Sequence, residues 1–254
     1  MSAVAPRTSV SFDELTLHYQ PQMSADGSQV VGAEALLRVV KPTPRFMSPA
    51  DVLAFFHAPE DEEALDWWVL RRACTDALRW PSLTVGINVS AARFRDRKFA
   101  NRLMKLIGEI GVDPRQIELE IVEGAYISDF DAALANITTL RGKGVKIAID
   151  DFGTGYSSLT YLLKMPVDKI KIDKSFVDEV GHMQSAAIVH SIVALARALG
   201  MKITAEGVET EEQQRFLRAA GCHYIQGWLF AKAMPAEKLT KYVASKTAAH
   251  RAVA

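Results

Sequence analysis

The sequence predicts an α/β fold, an eight-stranded (βα)8 barrel, on three observations. Eight short runs with strand character are spaced along the chain, with helical patterns between them. The 254 residues suit one large α/β domain. Nearly every run also ends in a polar residue, at the carboxyl ends of the strands where barrels build their chemistry. The other α/β option is an open doubly wound sheet, which binds dinucleotides through GxGxxG opening a helix. Here the glycine pair, "GTG" at Gly153–Gly155, follows two aspartates instead.

The elements follow in order. The chain opens on "MSAVAPRTSV", small, polar and aperiodic, so residues 1–12 read as a tail. The first strands are "LTLHYQ" (15–20) and "VVGAEALL" (30–37). Helical patterns around Pro49–Phe56 and Glu63–Trp80 follow, and then strands "TVGINVS" (84–90) and "IELEIV" (117–122). Asp129 can cap the next helix, with Phe130, Leu134 and Ile137 on one face. After strands "VKIAID" (145–150) and "KIKID" (169–173), Ser185 can cap a helix. Its Ile188, Ile192, Leu195 and Leu199 recur at helical spacing, and Gly200 closes it. Strand "KITAE" (202–206) leads to Thr210 and Gln213, a capping-box pair, and to a helix ended by Gly221. "HYIQG" (223–227) is the eighth strand, and residues 246–254 read as a second tail beyond a domain at 13–245.

Bulk composition narrows the function classes. Lys plus Arg and Asp plus Glu number 30 each, so no global charge draws the chain to a nucleic acid polymer or an anionic membrane. Cys74 and Cys222 are far apart and form no CxxC pair, which argues against a disulfide framework or thiolate zinc site. The richest apolar stretch, Ala186–Leu199, is interrupted by His190, Ser191 and Arg197 and is too short to span a bilayer. No signal-peptide core precedes it. The expectation is a soluble, cytoplasmic protein.

The chemistry sits at the strand ends: Glu34, Asn88, Glu120, Asp150 with Asp151, Lys171, Glu206 and Gln226. In a barrel these converge on one ring. Carboxylates so gathered repel one another unless a cation neutralises them, and oxygen donors suit hard ions such as Mg2+ or Mn2+. Adjacent side chains leave a strand in opposite directions. Asp150 and Asp151 therefore serve one site only if the strand ends between them, and could then hold two metals, an arrangement used on phosphodiesters. "FGTGYSS" adds a loop with backbone N–H groups and two hydroxyls. His182, His190 and His223 are isolated and without HExxH, and Ser157–Ser158 lacks a GxSxG elbow. Gln20 and Gln226 could form amide-bearing walls.

The order of motifs resembles the EAL-domain family of cyclic di-GMP phosphodiesterases across about Leu15 to Val243: "YQP" (19–21), "EALLR" (34–38), "NVS" (88–90), "ELEIVE" (118–123), "DDFGTGYSSL" (150–159), "KIDKSF" (171–176), "AEGVE" (205–209) and "QGWLF" (226–230). The resemblance implies a modified TIM barrel whose first strand is antiparallel to the rest. It implies hydrolysis of cyclic di-GMP to pGpG with Mg2+ or Mn2+, two ions per site; Ca2+, with longer bonds and higher coordination, is expected to inhibit. Glu34, Asn88, Glu120, Asp150, Asp151 and Glu206 would be metal ligands, with Glu34, Glu206 and Lys171 at the chemistry. Arg38 would contact a substrate phosphate and Gln20 and Gln226 would line the site. Glu123 would tie down the loop carrying Gly153, Thr154, Gly155 and Ser157, and Glu209 would support the ligands from behind. A homodimer is implied. Departures are Val39 after "EALLR", Gly124, and Lys232–Ala233 in "LFAKAMP"; none removes a ligand. No cyclase or sensor domain is visible, so the chain reads as a stand-alone enzyme or part of a longer one. The rivals are an inactive EAL receptor that binds cyclic di-GMP and signals through a protein partner, and a purely structural barrel.

Overall fold

The computed structural model describes residues 11–40, 56, 58–122, 129–154 and 159–253. The first strands, β1 (Leu15–Ser24) and β2 (Val30–Val39), form an antiparallel hairpin. Its turn is built by Asp26, whose Oδ1 accepts from Ser28 N at 3.0 Å, and by Gly27 at φ 73°. So short a turn can return the chain only antiparallel. "DG" between two strands is a hairpin signal, and it makes the first strand oppose the rest.

Six parallel strands follow β2: β3 (Thr84–Asn88), β4 (Ile117–Val122), β5 (Lys146–Phe152), β6 (Lys169–Ile172), β7 (Lys202–Ala205) and β8 (Tyr224–Ile225). β8 pairs back onto β1, closing an eight-stranded barrel with β1 antiparallel to both neighbours. A short β9 (Met234–Pro235), unread in the sequence, pairs with His18 and Tyr19 of β1. The helices are α1 (Pro59–Ala77), α2 (Ala91–Arg95), α3 (Phe99–Ile110), α4 (Phe130–Gly142), α5 (Leu159–Lys164), α6 (Lys174–Asp178), α7 (Met183–Ala198), α8 (Glu211–Ala220) and α9 (Ala236–Val253).

Period-2 alternation divides each strand between two environments. On β4, Ile117, Leu119 and Ile121 are buried in the apolar core shared with helices, where Leu103 and Ile107 of α3 also lie, whereas Glu118 and Glu120 face the barrel interior. The helix caps at Asp129 and the Thr210–Gln213 box form as expected, with Gly221 left-handed at φ 102°.

Three expectations need correction. α7 starts two residues before Ser185, whose hydroxyl bonds Glu179 instead of capping. The buried stripe of α7 is Ser185, Val189, Ile192, Val193 and Ala196, leaving Ile188 at 40 % exposure. Ser185 and Ala196 lie on that stripe, and a stripe drawn through the largest side chains misses them. Residues 246–253, expected as tail, continue α9. The helix expected around Pro49–Phe56 lies outside the described residues, Phe56 excepted.

Candidate active site

Closing the barrel brings the expected strand-end residues together around one lysine. Lys171 on β6 is fully buried. Its Nζ lies 2.5 Å from Glu120 Oε2, 2.7 Å from Glu206 Oε1, 3.0 Å from Asp150 Oδ1 and 3.6 Å from Glu34 Oε2. These four carboxylates come from β2, β4, β5 and the residue after β7. Asn88 Nδ2 donates to Glu34 Oε1 at 2.9 Å and Gln226 Nε2 to Glu34 Oε2 at 2.6 Å. Each oxygen of Glu34 is thereby oriented by one donor and keeps acceptor capacity for a cation, as does the Asn88 amide oxygen.

Asp150 and Asp151 do share one site, by a device other than a strand ending between them. β5 runs on to Phe152, but Asp151 adopts a left-handed backbone at φ 52° and the pairing with β6 shifts there. The kink breaks alternation and turns the second carboxylate back to the first. Aspartate is among the few residues that take this conformation readily. Two groups of carboxylate oxygens result, each within 4.8 Å of one another: Glu34, Glu120 and Asp150, and Asp150, Asp151 and Glu206. Asp150 belongs to both.

The electrostatics follow from crowding. Burial lifts Glu120 well above the usual carboxylate range despite Lys171 beside it, because Glu34 and Asp150 add repulsion. Burial likewise pushes Glu206 up to about 8, and burial and then Asp150 raise Asp151. Glu34 goes the other way: burial opposes its charge, but Lys171 and the two amide donors outweigh it. Lys171 is held above its ordinary value, its burial outweighed by Glu120 and then Glu206, Glu34 and Asp150.

The donor set fits a hard divalent cation. Glu120 Oε1 is buried without a partner, and a Cβ at Gly86 would lie only 2.0 Å from it. The glycine on β3 thus keeps the space in which that oxygen sits. A buried carboxylate oxygen left unpaired is costly, and oxygen donors at this density are what Mg2+ and Mn2+ take.

The remaining expected residues lie around this centre. Gln20 Oε1 accepts from Gln226 Nε2 at 3.3 Å. Arg38 sits four residues after Glu34 on the same face of β2 and donates to Leu37 O at 2.7 Å. Thr154 donates from Oγ1 to Asp151 O at 2.8 Å. Gly153, at φ 99°, packs against Phe176 so closely that a Cβ would meet that ring at 2.9 Å. Glu209 belongs to neither carboxylate group; it lines the cavity beside Glu34 and Glu206, paired with Lys174. Glu123, Gly155 and Ser157 lie outside the described residues. Sequence reasoning gave no role to Lys174 or Trp228, which line a cavity of about 270 Å3 with Gln20, Glu34, Glu206 and Gln226. Trp228 is 60 % exposed with Lys232 Nζ 4.3 Å from its ring centre. A tryptophan directly after Gln226–Gly227 was the signal available in the sequence.

Comparison with known proteins agrees with this geometry. The family model for the EAL domain matches residues 4–233. The bifunctional diguanylate cyclase/cyclic di-GMP phosphodiesterase MucR of Pseudomonas aeruginosa is 39 % identical over 237 residues, which are 91 % of this chain and 35 % of MucR. An uncharacterized signaling protein of Caulobacter vibrioides is 41 % identical over 238 residues, 93 % of this chain and 29 % of its own. The chain thus spans about a third of the length of these curated relatives. A solved structure, "PaMucR Phosphodiesterase, c-di-GMP complex", superposes with a TM-score of 0.83 at 39 % identity, covering 89 % of this chain and 94 % of that one. The manganese/cy-diGMP complex of Klebsiella pneumoniae BlrP1 gives a TM-score of 0.78 at 30 % identity, covering 91 % and 58 %. A barrel with one antiparallel strand, the ordered motifs and a match over nearly the whole length place this chain in the EAL domain family.

Proposed function

We propose that this chain hydrolyses one phosphodiester bond of cyclic di-GMP to linear pGpG, using Mg2+ or Mn2+ with two ions per site. The observation that carries this reading is the pair of carboxylate groups sharing Asp150. Glu34, Glu120 and Asp150, with the Asn88 amide oxygen, would hold one cation, and Asp150, Asp151 and Glu206 the other. Bound there, the ions supply Lewis acidity that makes a nucleophile of water and stabilises the departing 3′ oxygen. The protein's own groups do the positioning. Asn88 and Gln226 fix the orientation of Glu34. Lys171 keeps a positive charge among the ligands where negative charge develops on the phosphate. Arg38 would hold a phosphate, and Gln20 and Gln226 the wall facing the rest of the nucleotide. Gly153, Thr154, Gly155 and Ser157, tied down by Glu123, would keep Asp151 aimed, with Glu209 acting through Lys174. The unit is read as running from residue 13 through α9, working in the cytoplasm as a homodimer. Among the described residues no helix is long and apolar enough to cross a membrane.

Incubation of the purified protein with cyclic di-GMP and Mg2+, followed by chromatography, tests the reading: pGpG should accumulate. Asp150→Asn should abolish nearly all turnover with the fold intact, because it removes the charge both groups share. Turnover at the parent rate in a folded Asp150→Asn protein would exclude the assignment. A receptor reading has one observation in its favour: Lys171 already bridges Glu120, Glu206 and Asp150 without metal. Saturable binding with no pGpG would support it.

A further inference from the structure

The amino-terminal pole of the barrel holds a second polar centre, one pleat below the carboxylates. Side chains two residues apart face the same way along a strand, so Glu118 lies below Glu120 on β4 and Lys169 below Lys171 on β6. β1 runs oppositely, and Gln22 reaches the same level two residues after Gln20. Lys169 Nζ donates to Glu118 Oε1 at 2.7 Å and lies 3.5 Å from Gln22 Oε1. All three are buried, at 5 %, 1 % and 2 % exposure for Lys169, Glu118 and Gln22. Branched apolar side chains ordinarily fill a barrel at this depth, and a buried ion pair seldom outperforms them in stability.

The hydrogen bonding at this pole is incomplete. Gln22 Nε2, a donor, and Glu118 Oε2, an acceptor, are buried without partners. Both residues line a cavity of about 420 Å3. Lys146 and Lys202 line it too. Lys146 Nζ donates to Thr84 Oγ1 at 2.8 Å, which leaves further protons on the ammonium to give. Arg141 also borders the cavity but is committed to Asp168, at 2.7 Å and 3.0 Å. Four cationic groups (Arg141, Lys146, Lys169, Lys202) thus face two carboxylates (Glu118, Asp168).

We propose that this cavity binds a small oxyanion carrying a donatable proton, of the hydrogen phosphate class, at the pole opposite the carboxylate cluster. Its unprotonated oxygens accept from Gln22 Nε2, Lys146 and Lys202, and its hydroxyl donates to Glu118 Oε2. A fully deprotonated oxyanion such as sulfate has no proton for Glu118 and meets its charge instead. Water would satisfy either orphaned atom but leave the excess positive charge unmatched. The site shares no residue with the proposed hydrolytic centre, so the two readings stand or fall separately.

Equilibrium dialysis of the intact protein against radiolabelled inorganic phosphate, with and without Mg2+, tests this. Saturable binding should be independent of Mg2+ and survive Arg38→Ala. It should resist competition by equimolar sulfate at matched ionic strength. The Lys146→Met/Lys202→Ala protein should bind phosphate about tenfold or more weakly, from the loss of two charge-assisted hydrogen bonds. Gln22→Leu should do the same, with thermal melting confirming that each variant folds. Lys202→Ala, a surface change, should leave turnover of cyclic di-GMP unchanged. Absence of saturable binding would mean the cavity holds water only, and equal competition by sulfate would mean an unspecific basic patch. Binding that needs Mg2+, or is lost in Arg38→Ala, would put the phosphate at the other pole. Each of these results overturns the proposal, as does full affinity in the lysine variant.

Discussion

At the residue scale the site is organised by Lys171, whose ammonium is, among the described residues, the one charge paired with carboxylates from several strands. Glu120, Glu206 and Asp150 all lie within 3.0 Å of it. Removing one partner of a buried charged group leaves the others uncompensated, at a cost of about 3–5 kcal/mol. Lys171→Met should therefore lower the melting temperature of the metal-free protein by many degrees. Combining it with Glu120→Gln should restore much of the loss. Thermal melts in EDTA check this, and a variant as stable as the parent would show that the carboxylates protonate instead of repelling. In turnover, Lys171→Met should reduce kcat far more than it raises KM, since the charge matters most in the transition state. The sequence showed the lysine at a strand end but not how deep it lies. Its complete burial could not be read, because burial depends on which strands close over it.

At the scale of single elements, β5 carries the decisive local feature, the left-handed Asp151. A β-branched residue is strained there and an asparagine is not, so backbone and ligand roles separate. Asp151→Asn should melt within ~0.5 kcal/mol of the parent yet lose activity. Asp151→Val should lose activity and also about 1–2 kcal/mol of stability. Equal melting of the two variants would show that the kink costs nothing. The tandem "DD" at the end of an apolar run was legible, and so was the need to break alternation. The positive φ at Asp151 was not, because it depends on the pairing shift of β5 against β6. The Thr210–Gln213 box and Gly221 were legible for the opposite reason: capping satisfies groups within one turn of chain. Ser185 shows the limit. Its side chain is drawn to Glu179 in the preceding turn, and the helix begins before it.

Across the whole molecule, crowding of acids makes stability depend on pH in the metal-free state. Glu206 is raised to about 8, and Glu120 and Asp151 are raised as well. A raised group contributes stability that is fully present below its unfolded value and lost as pH rises through its folded one. The melting temperature in EDTA should therefore fall between about pH 4.5, the unfolded value of a glutamate, and the folded value near 8. Mg2+ should flatten the decline, because a bound cation replaces the protons. Scanning calorimetry across that window checks both, and a melting temperature that rises with pH in EDTA would contradict the crowding. Ca2+ should bind but inhibit turnover, since its longer, more numerous contacts misplace the reacting groups; turnover in Ca2+ equal to that in Mg2+ would defeat this geometric account. The sequence by itself determined the eight strands of the barrel, the polar residue closing nearly every one and the order of motifs, because alternation and capping are properties of the local chain. Tertiary closure alone decided that the carboxylates from β2, β4 and β5 and from beyond β7 meet around Lys171. It alone opened the cavity at the far pole, where Gln22, Glu118 and Lys169 meet. Those groups are separated by up to 147 residues along the chain, and only the barrel's register sets which of them face one another.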